Sequence, residues 1–366
     1  MVRSRQWSAL ALLVLSVMLR RDSALRTRGP GPHAAEKGLH GLDYDNAQLA
    51  LAAEYESNFS HVRECATAHT WNGQLSPQPL VVPSLKLAFC YVPKVACTQF
   101  KDLFNHLNHL DTKDGFPHDY LASSVEKLGI SRSSVSRENG WKFAMFTRDP
   151  ALRYLSAFGS TCVAKDDGTF EHDIECCGPL VKDNLMQPEL LVKMFETRLM
   201  YDHAQGSVSQ EQHWSQQTEI LMLCGWEDFR PEKVDFHGSI SDGDVNQQVK
   251  EMLAMVNGSE PWRTELVDKY FPEDSVAGHQ TPIQQIPPEV FYRNRTVLSA
   301  VGKLYEDDID LIPKVGKGFY DVELKKPDWQ REEEAAAAFN EASRNIAQRR
   351  QERDVRRQEE WAEQEE

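Results

Sequence analysis

Two stretches of this chain follow one pattern: an apolar run, a short loop carrying a cation, and the start of a helix. That repetition limits the fold more than any other feature. In the first, Leu85-Lys86-Leu87-Ala88-Phe89-Cys90-Tyr91-Val92 has the apolar and aromatic content of a buried strand. Thr98 then opens a helical pattern with Phe100, Leu103, Phe104 and Leu107 on one face. In the second, residues 141–147 read as another strand, Asp149 stands where an N-cap belongs, and Pro150 suits the first helical turn. Strand–loop–helix units in succession predict an α/β fold, with helices on both faces of a central parallel sheet.

The loops favour an anion. Unpaired amides and the positive end of the helix dipole coincide at a helix N-terminus. Lys94 adds a mobile point charge there, and Thr98 a hydroxyl. The glycines and the adjacent Lys-Ser/Thr pair of a Walker loop are missing, which disfavours an ordinary ATP or GTP site. Arg148 lies at the carboxyl end of its strand, where open α/β sheets bind ligands, and its planar fork matches a phosphate. Ser156, about two turns into the helix, adds a neutral donor. Arg153, one turn beyond Asp149, is expected to pair with it.

At these residues the chain resembles a family. Pro93-Lys94-Val95-Ala96-Cys97-Thr98 and Arg148-Asp149-Pro150-x-x-Arg153-x-x-Ser156-Ala157 are similar to the two signature loops of the Golgi carbohydrate sulfotransferases related to the HNK-1, chondroitin 4-O and dermatan 4-O enzymes. The resemblance continues in the family's order through Glu211-Gln212-His213-Trp214, Cys224, Val234-Asp235-Phe236-His237-Gly238 and Leu304-Tyr305-Glu306-Asp307-Asp308, covering residues 80–320. Gln99-Phe100 stands where the family usually has Asn-Trp, which marks a distant member. The resemblance implies a P-loop-like sulfotransferase fold. It implies that Pro93, Lys94, Val95, Ala96, Cys97 and Thr98 grip the 5′-phosphosulfate of 3′-phosphoadenosine 5′-phosphosulfate (PAPS), and that Arg148 and Ser156 grip its 3′-phosphate. No metal is required by these motifs.

Sulfuryl transfer asks the protein mainly for in-line positioning and for charge compensation on the leaving group. Lys94 is the residue expected to stabilise the departing phosphate. The acceptor hydroxyl needs a general base, and His213 is the candidate among twelve histidines because its His-Trp pair aligns with the family's. A packing histidine beside Trp214 is the competing reading, and His237 and His118 are weaker candidates. Cys97 is read as a small loop residue rather than a nucleophile, because the transfer needs no covalent enzyme intermediate.

The remaining features bear on compartment and boundaries. A formal net charge of −15 argues against a general nucleic-acid binder, so an anionic donor needs a local basic pocket, supplied in part by Lys94, Arg148, Arg153 and Lys165. The seven cysteines lack the paired spacing of a zinc site and suit up to three disulfides. Residues 7–19 form an apolar run behind Arg3 and Arg5, shorter than the ~20 residues of a full span. We take residues 1–24 as a cytoplasmic tail and uncleaved signal-anchor, with a cleaved signal peptide as the alternative. Residues 25–79 are expected to be a stem with a helix over 44–56, residues 80–324 the catalytic domain, and residues 325–366 a charged tail, either a solvated helix or disordered. Asn58, Asn257 and Asn294 open glycosylation sequons, in keeping with a Golgi lumenal domain on a single-pass type II anchor. The expected partners are a glycan or glycosaminoglycan acceptor and the membrane; oligomeric state is open. The rival readings are an inactive lumenal glycan-binding protein on the same scaffold and a nucleotide kinase, which would bring a glycine-rich loop and a Mg²⁺ aspartate.

Overall fold

Four strands form one sheet in the order β1-β2-β3-β4. The computed structural model describes residues 79–110, 121–163, 188–206, 208, 212–225, 227–273, 282–311 and 318–365. β2 (Leu87–Cys90) runs parallel to β3 (Lys142–Thr147), and β3 parallel to β4 (Phe236–Ser239). β1 (Leu80–Val82) is antiparallel to β2, with Leu80 opposite Phe89. The expected parallel sheet is thus three strands wide, and its edge runs the other way. The reason is local: only a single 3-10 turn, Pro83–Leu85, followed by Lys86 at φ 51°, joins β1 to β2. So short a connection can only reverse the chain, because a parallel crossover needs a dozen residues or more. The same turn removes Leu85 and Lys86 from the strand expected over residues 85–92.

After β2 comes α1 (Cys97–Leu107), one residue earlier than Thr98, and after β3 comes α2 (Pro150–Thr161). Then follow α3 (Pro188–Gln205), α4 (Gln217–Leu223), β4, α5 (Val245–Ala254) and α6 (Pro261–Tyr270). The chain continues through α7 (Pro288–Phe291), α8 (Arg295–Leu304), α9 (Glu306–Leu311), α10 (Phe319–Lys325) and α11 (Asp328–Glu365).

Every residue of β2, and all of β3 except Lys142, is buried, which is why both read as unbroken apolar runs. Successive strand residues face opposite sides. Phe89 meets α1, its ring 4.5 Å from that of Phe100 and 5.3 Å from that of Phe104. Cys90 points the other way and forms a disulfide with Cys224 at the end of α4. Helices therefore cover both faces. On β4, Gly238 lies opposite Phe146 in register. A Cβ at Gly238 would sit 2.4 Å from that ring, so only glycine lets the two strands close.

A second apolar core joins α2, α3 and α8 through Tyr154, Phe158, Phe195, Tyr292 and Leu298. α11 is a helix rather than a disordered tail. Ala335 and Ala342 are buried along it, and Phe339 and Ile346 pack against this second core. The C-terminal residues thus begin as part of the packed protein and only later run into solvent. The expected anchor, stem and helix over 44–56 lie outside the described residues, as do Asn58, His118 and Lys165. Among the described residues no helix is long and apolar enough to cross a membrane.

Candidate active site

The loop between β2 and α1 is a tight turn, with the Val95 amide donating to the Val92 carbonyl at 3.1 Å. Lys94 has φ 67° and Ala96 φ 50°, both in the left-handed region that costs an L-residue about 1–2 kcal/mol. Left-handed residues thus stand on either side of Val95, a backbone conformation of the kind that lets loops approach anions closely. Ala96 is the N-cap of α1 and offers no side-chain cap to its amides. Cys97, a free and half-buried thiol, begins the helix. Thr98 follows it, also half-buried.

Two arginines hold this strained loop in place. Arg148 Nη1 donates to the Lys94 carbonyl at 3.1 Å, and Arg153 Nε to the Pro93 carbonyl at 3.0 Å. Arg148 is itself fixed through its backbone. Its amide donates to Gln217 Oε1 and its carbonyl accepts from Gln217 Nε2, each at 2.9 Å. Gln217 in turn is set by Asp308, whose buried carboxylate accepts from the Gln217 amide and from the amide and hydroxyl of Thr218. The acidic run at residues 306–308 therefore supplies the missing cap of α4, and through it the posture of Arg148.

Asp149 is the N-cap of α2, as expected, and accepts from the amides of Ala151 and Leu152. Its second oxygen accepts from the Tyr320 amide at 2.8 Å, and its own amide donates to Ser241 Oγ. The expected Arg153–Asp149 pair does not form. Arg153 is fully buried and spends its guanidinium on three carbonyls, those of Pro93, Ser215 (2.6 Å) and Gln212 (3.0 Å). Asp149 is occupied by N–H groups, and the backbone of the loops is the better match for the arginine fork. Ser156 lies half-buried farther along the same helix.

Among the described residues neither Arg148 nor Arg153 forms an ion pair with a carboxylate. Burial pulls the Arg148 pKa down to about 10, with Asp149 opposing and the Arg153 charge adding to the shift. It stays cationic at neutral pH. Two guanidiniums thus meet the backbone of one loop: Arg148 reaches the Lys94 carbonyl and Arg153 the Pro93 carbonyl, the latter with all its donor nitrogens spent on backbone oxygens.

His213 sits half-buried in the segment whose Gln212 and Ser215 carbonyls Arg153 grips. Its neighbour Trp214 is buried against the Tyr154 ring at 4.9 Å, with the Arg198 guanidinium 4.9 Å from its own ring. The Trp214 carbonyl accepts from the Tyr305 hydroxyl at 2.6 Å. Trp214 is the fully buried residue of the pair, whereas His213 is half-buried with its Nδ1 away from solvent. His237 lies within β4, its Nε2 2.8 Å from Thr147 Oγ1. That position makes it part of the sheet.

A family model described as the Sulfotransferase family matches residues 77–312. The chain belongs to the sulfotransferase family. Neither a curated protein nor a solved structure matches it. In this sulfotransferase the matched span holds both cationic loops, His213 and Asp308, whereas α10 and α11 follow it. Tyr320 therefore reaches Asp149 from outside the matched region. Sequence reasoning missed Gln217, Asp308 and Tyr320 as supports of the site, and misread Arg153. Its flanking residues Tyr154, Leu155, Ala157 and Phe158 were the available signal, since a cation in so apolar a stretch of helix is buried.

Proposed function

We propose that this sulfotransferase transfers a sulfuryl group from PAPS to a carbohydrate hydroxyl by in-line displacement, in the lumen of the Golgi. The observation that carries the reading is the Arg148–Lys94 hydrogen bond, which brings the arginine after β3 to the loop after β2; we read the two as neighbouring phosphate subsites. A donor with phosphates at both its 5′ and 3′ positions fits two such subsites, and an ordinary nucleotide fits one. PAPS supplies the activated sulfuryl group; the chain's own residues position it and balance charge. Lys94 and the N-terminal turn of α1 face the developing charge of the leaving phosphate, the Val95 amide being committed to the Val92 carbonyl. Arg148 and Ser156 hold the 3′-phosphate, and His213 accepts the proton of the acceptor hydroxyl.

The Cys90–Cys224 disulfide supports an oxidising compartment. The exposed sequon residues Asn257 and Asn294 agree with it. With residues 1–24 as anchor, the enzyme would be a type II protein, and a glycan or glycosaminoglycan its acceptor. A kinase is disfavoured by the glycine-free loop, and an inactive scaffold by the presence of Lys94, Arg148 and Ser156 together.

The test is calorimetric titration with 3′-phosphoadenosine 5′-phosphate beside ADP, on the wild type and on Arg148→Ala. Binding that needs both the 3′-phosphate and Arg148 supports the donor site. A folded protein that binds neither nucleotide, or binds both equally, overturns it.

A further inference from the structure

We infer that Arg153 is a positioning residue that couples the Lys94 loop to the His213 segment, so that ordering one orders the other. The inference rests on the donor-site reading only for the ligand that orders the first loop.

Its side chain leaves α2 fully buried and divides three donors between two separate pieces of chain. Nε takes the Pro93 carbonyl; Nη1 and Nη2 take those of Ser215 and Gln212. Burying a cation without a carboxylate partner is expensive, and apolar side chains would fill the same space more cheaply. What they cannot do is bridge. The planar fork aims N–H groups in fixed directions, so the separation of Pro93 from Gln212 and Ser215 follows from the shape of one rigid group.

Both ends of the bridge abut the chemistry. Pro93 precedes Lys94, whose left-handed backbone makes its side-chain direction depend on where the Pro93 carbonyl is held. Gln212 and Ser215 bracket His213 and Trp214. The helix that carries Arg153 also carries Ser156 and begins just after Arg148. α2 is thus the common frame of the site, and Arg153 is the member that reaches across to the acceptor side. A lysine there would keep the charge, but its ammonium is a compact group that cannot span both sides.

The experiment is amide hydrogen exchange on the full lumenal protein, with and without 3′-phosphoadenosine 5′-phosphate. Peptides covering residues 93–98 and 212–216 are followed, and α8 serves as a reference for general loosening. In the wild type the nucleotide is expected to slow exchange in both segments. In Arg153→Lys it is expected to slow exchange in 93–98 alone. Tyr305→Phe removes the hydroxyl that holds the Trp214 carbonyl but leaves the bridge, so the nucleotide should still protect 212–216 there. The coupling is overturned if 212–216 responds to nucleotide equally in wild type and Arg153→Lys, does not respond in a wild type whose 93–98 segment does, or loses its response in Tyr305→Phe. Should the wild type bind no nucleotide, the donor reading fails, and ligand-free exchange still decides the coupling. A rise of about tenfold in both segments of Arg153→Lys, with α8 unchanged, supports it; a rise in one segment alone, or in α8 as well, counts against it.

Discussion

The Arg148 guanidinium donates to the Lys94 carbonyl across 3.1 Å, so the arginine that ends β3 holds the backbone of the loop that follows β2. One side chain thus ends its own strand and serves as a strut for the neighbouring loop. The left-handed Lys94 needs such a strut, because a strained loop persists only where its surroundings over-determine it.

Removing that strut should affect more than one phosphate. Arg148→Ala is expected to weaken binding of 3′-phosphoadenosine 5′-phosphate by about 1.5–3 kcal/mol, the range for a charge-assisted hydrogen bond in a buried site. Arg148→Lys should recover less than half of this, since the ammonium cannot bind a phosphate through two parallel N–H groups. Calorimetry on both variants checks it, and equal affinity in the alanine variant would contradict the assignment.

His213→Ala should leave nucleotide affinity within about threefold and reduce transfer by about 100-fold or more, the usual scale for removal of a general base. Transfer of labelled sulfate from PAPS to desulfated chondroitin is a suitable assay. Normal transfer by the variant would leave His213 as a packing residue beside Trp214 without a chemical role.

At the sheet, Gly238→Ala should cost about 1–3 kcal/mol, because the new Cβ meets the Phe146 ring at 2.4 Å within paired strands. Phe146→Leu should be costly alone yet partly compensate in the double variant. Urea unfolding of the four proteins of this cycle measures the coupling, which vanishes if the strands simply move apart.

Replacing Cys90 and Cys224 together by alanine should lower stability by about 2–5 kcal/mol, because the bridge ties residues 134 apart in sequence. The variant should also lack the part of the wild type's response to reductant that this bridge supplies. Thermal unfolding with and without dithiothreitol tests both statements.

Asp308 gives a dependence on pH. Burial raises its pKa, against the amides of Thr218 and Gln217, which lower it. A carboxyl whose folded pKa exceeds its unfolded value binds its proton more readily when folded. Its contribution to stability is therefore full below the unfolded value and is lost as pH rises through the folded one. Asp308→Asn does not titrate and turns an amide toward N–H groups, so at neutral pH it should be less stable by about 1–3 kcal/mol. The gap should widen as pH falls from 7 toward 4; a gap that narrows in urea titrations would contradict the raised pKa.

What could be read in advance was local. β2 and β3 appear as apolar runs because both of their faces are buried, and α2 announces itself through Asp149 and Pro150. The edge strand β1 escaped notice because Leu80, Val81 and Val82 form too short a run to carry a period. Arg153 is paired with Asp149 by the rule for neighbours one helical turn apart. Its actual acceptors, Pro93, Gln212 and Ser215, lie 60, 59 and 62 residues away. α11 reads as a solvated or unfolded segment because its packing residues, Ala335, Phe339, Ala342 and Ile346, include few large apolar side chains and are spread thinly through a charged sequence.

The sequence alone determined the α/β plan and the cationic residues of the two loops, because strand burial, helix capping and charge act within a few residues of chain. Only the tertiary structure decided what those residues hold. Carbonyls look alike in sequence, and the ones that Arg148 and Arg153 grip are chosen when distant segments close together and buried donors must find acceptors.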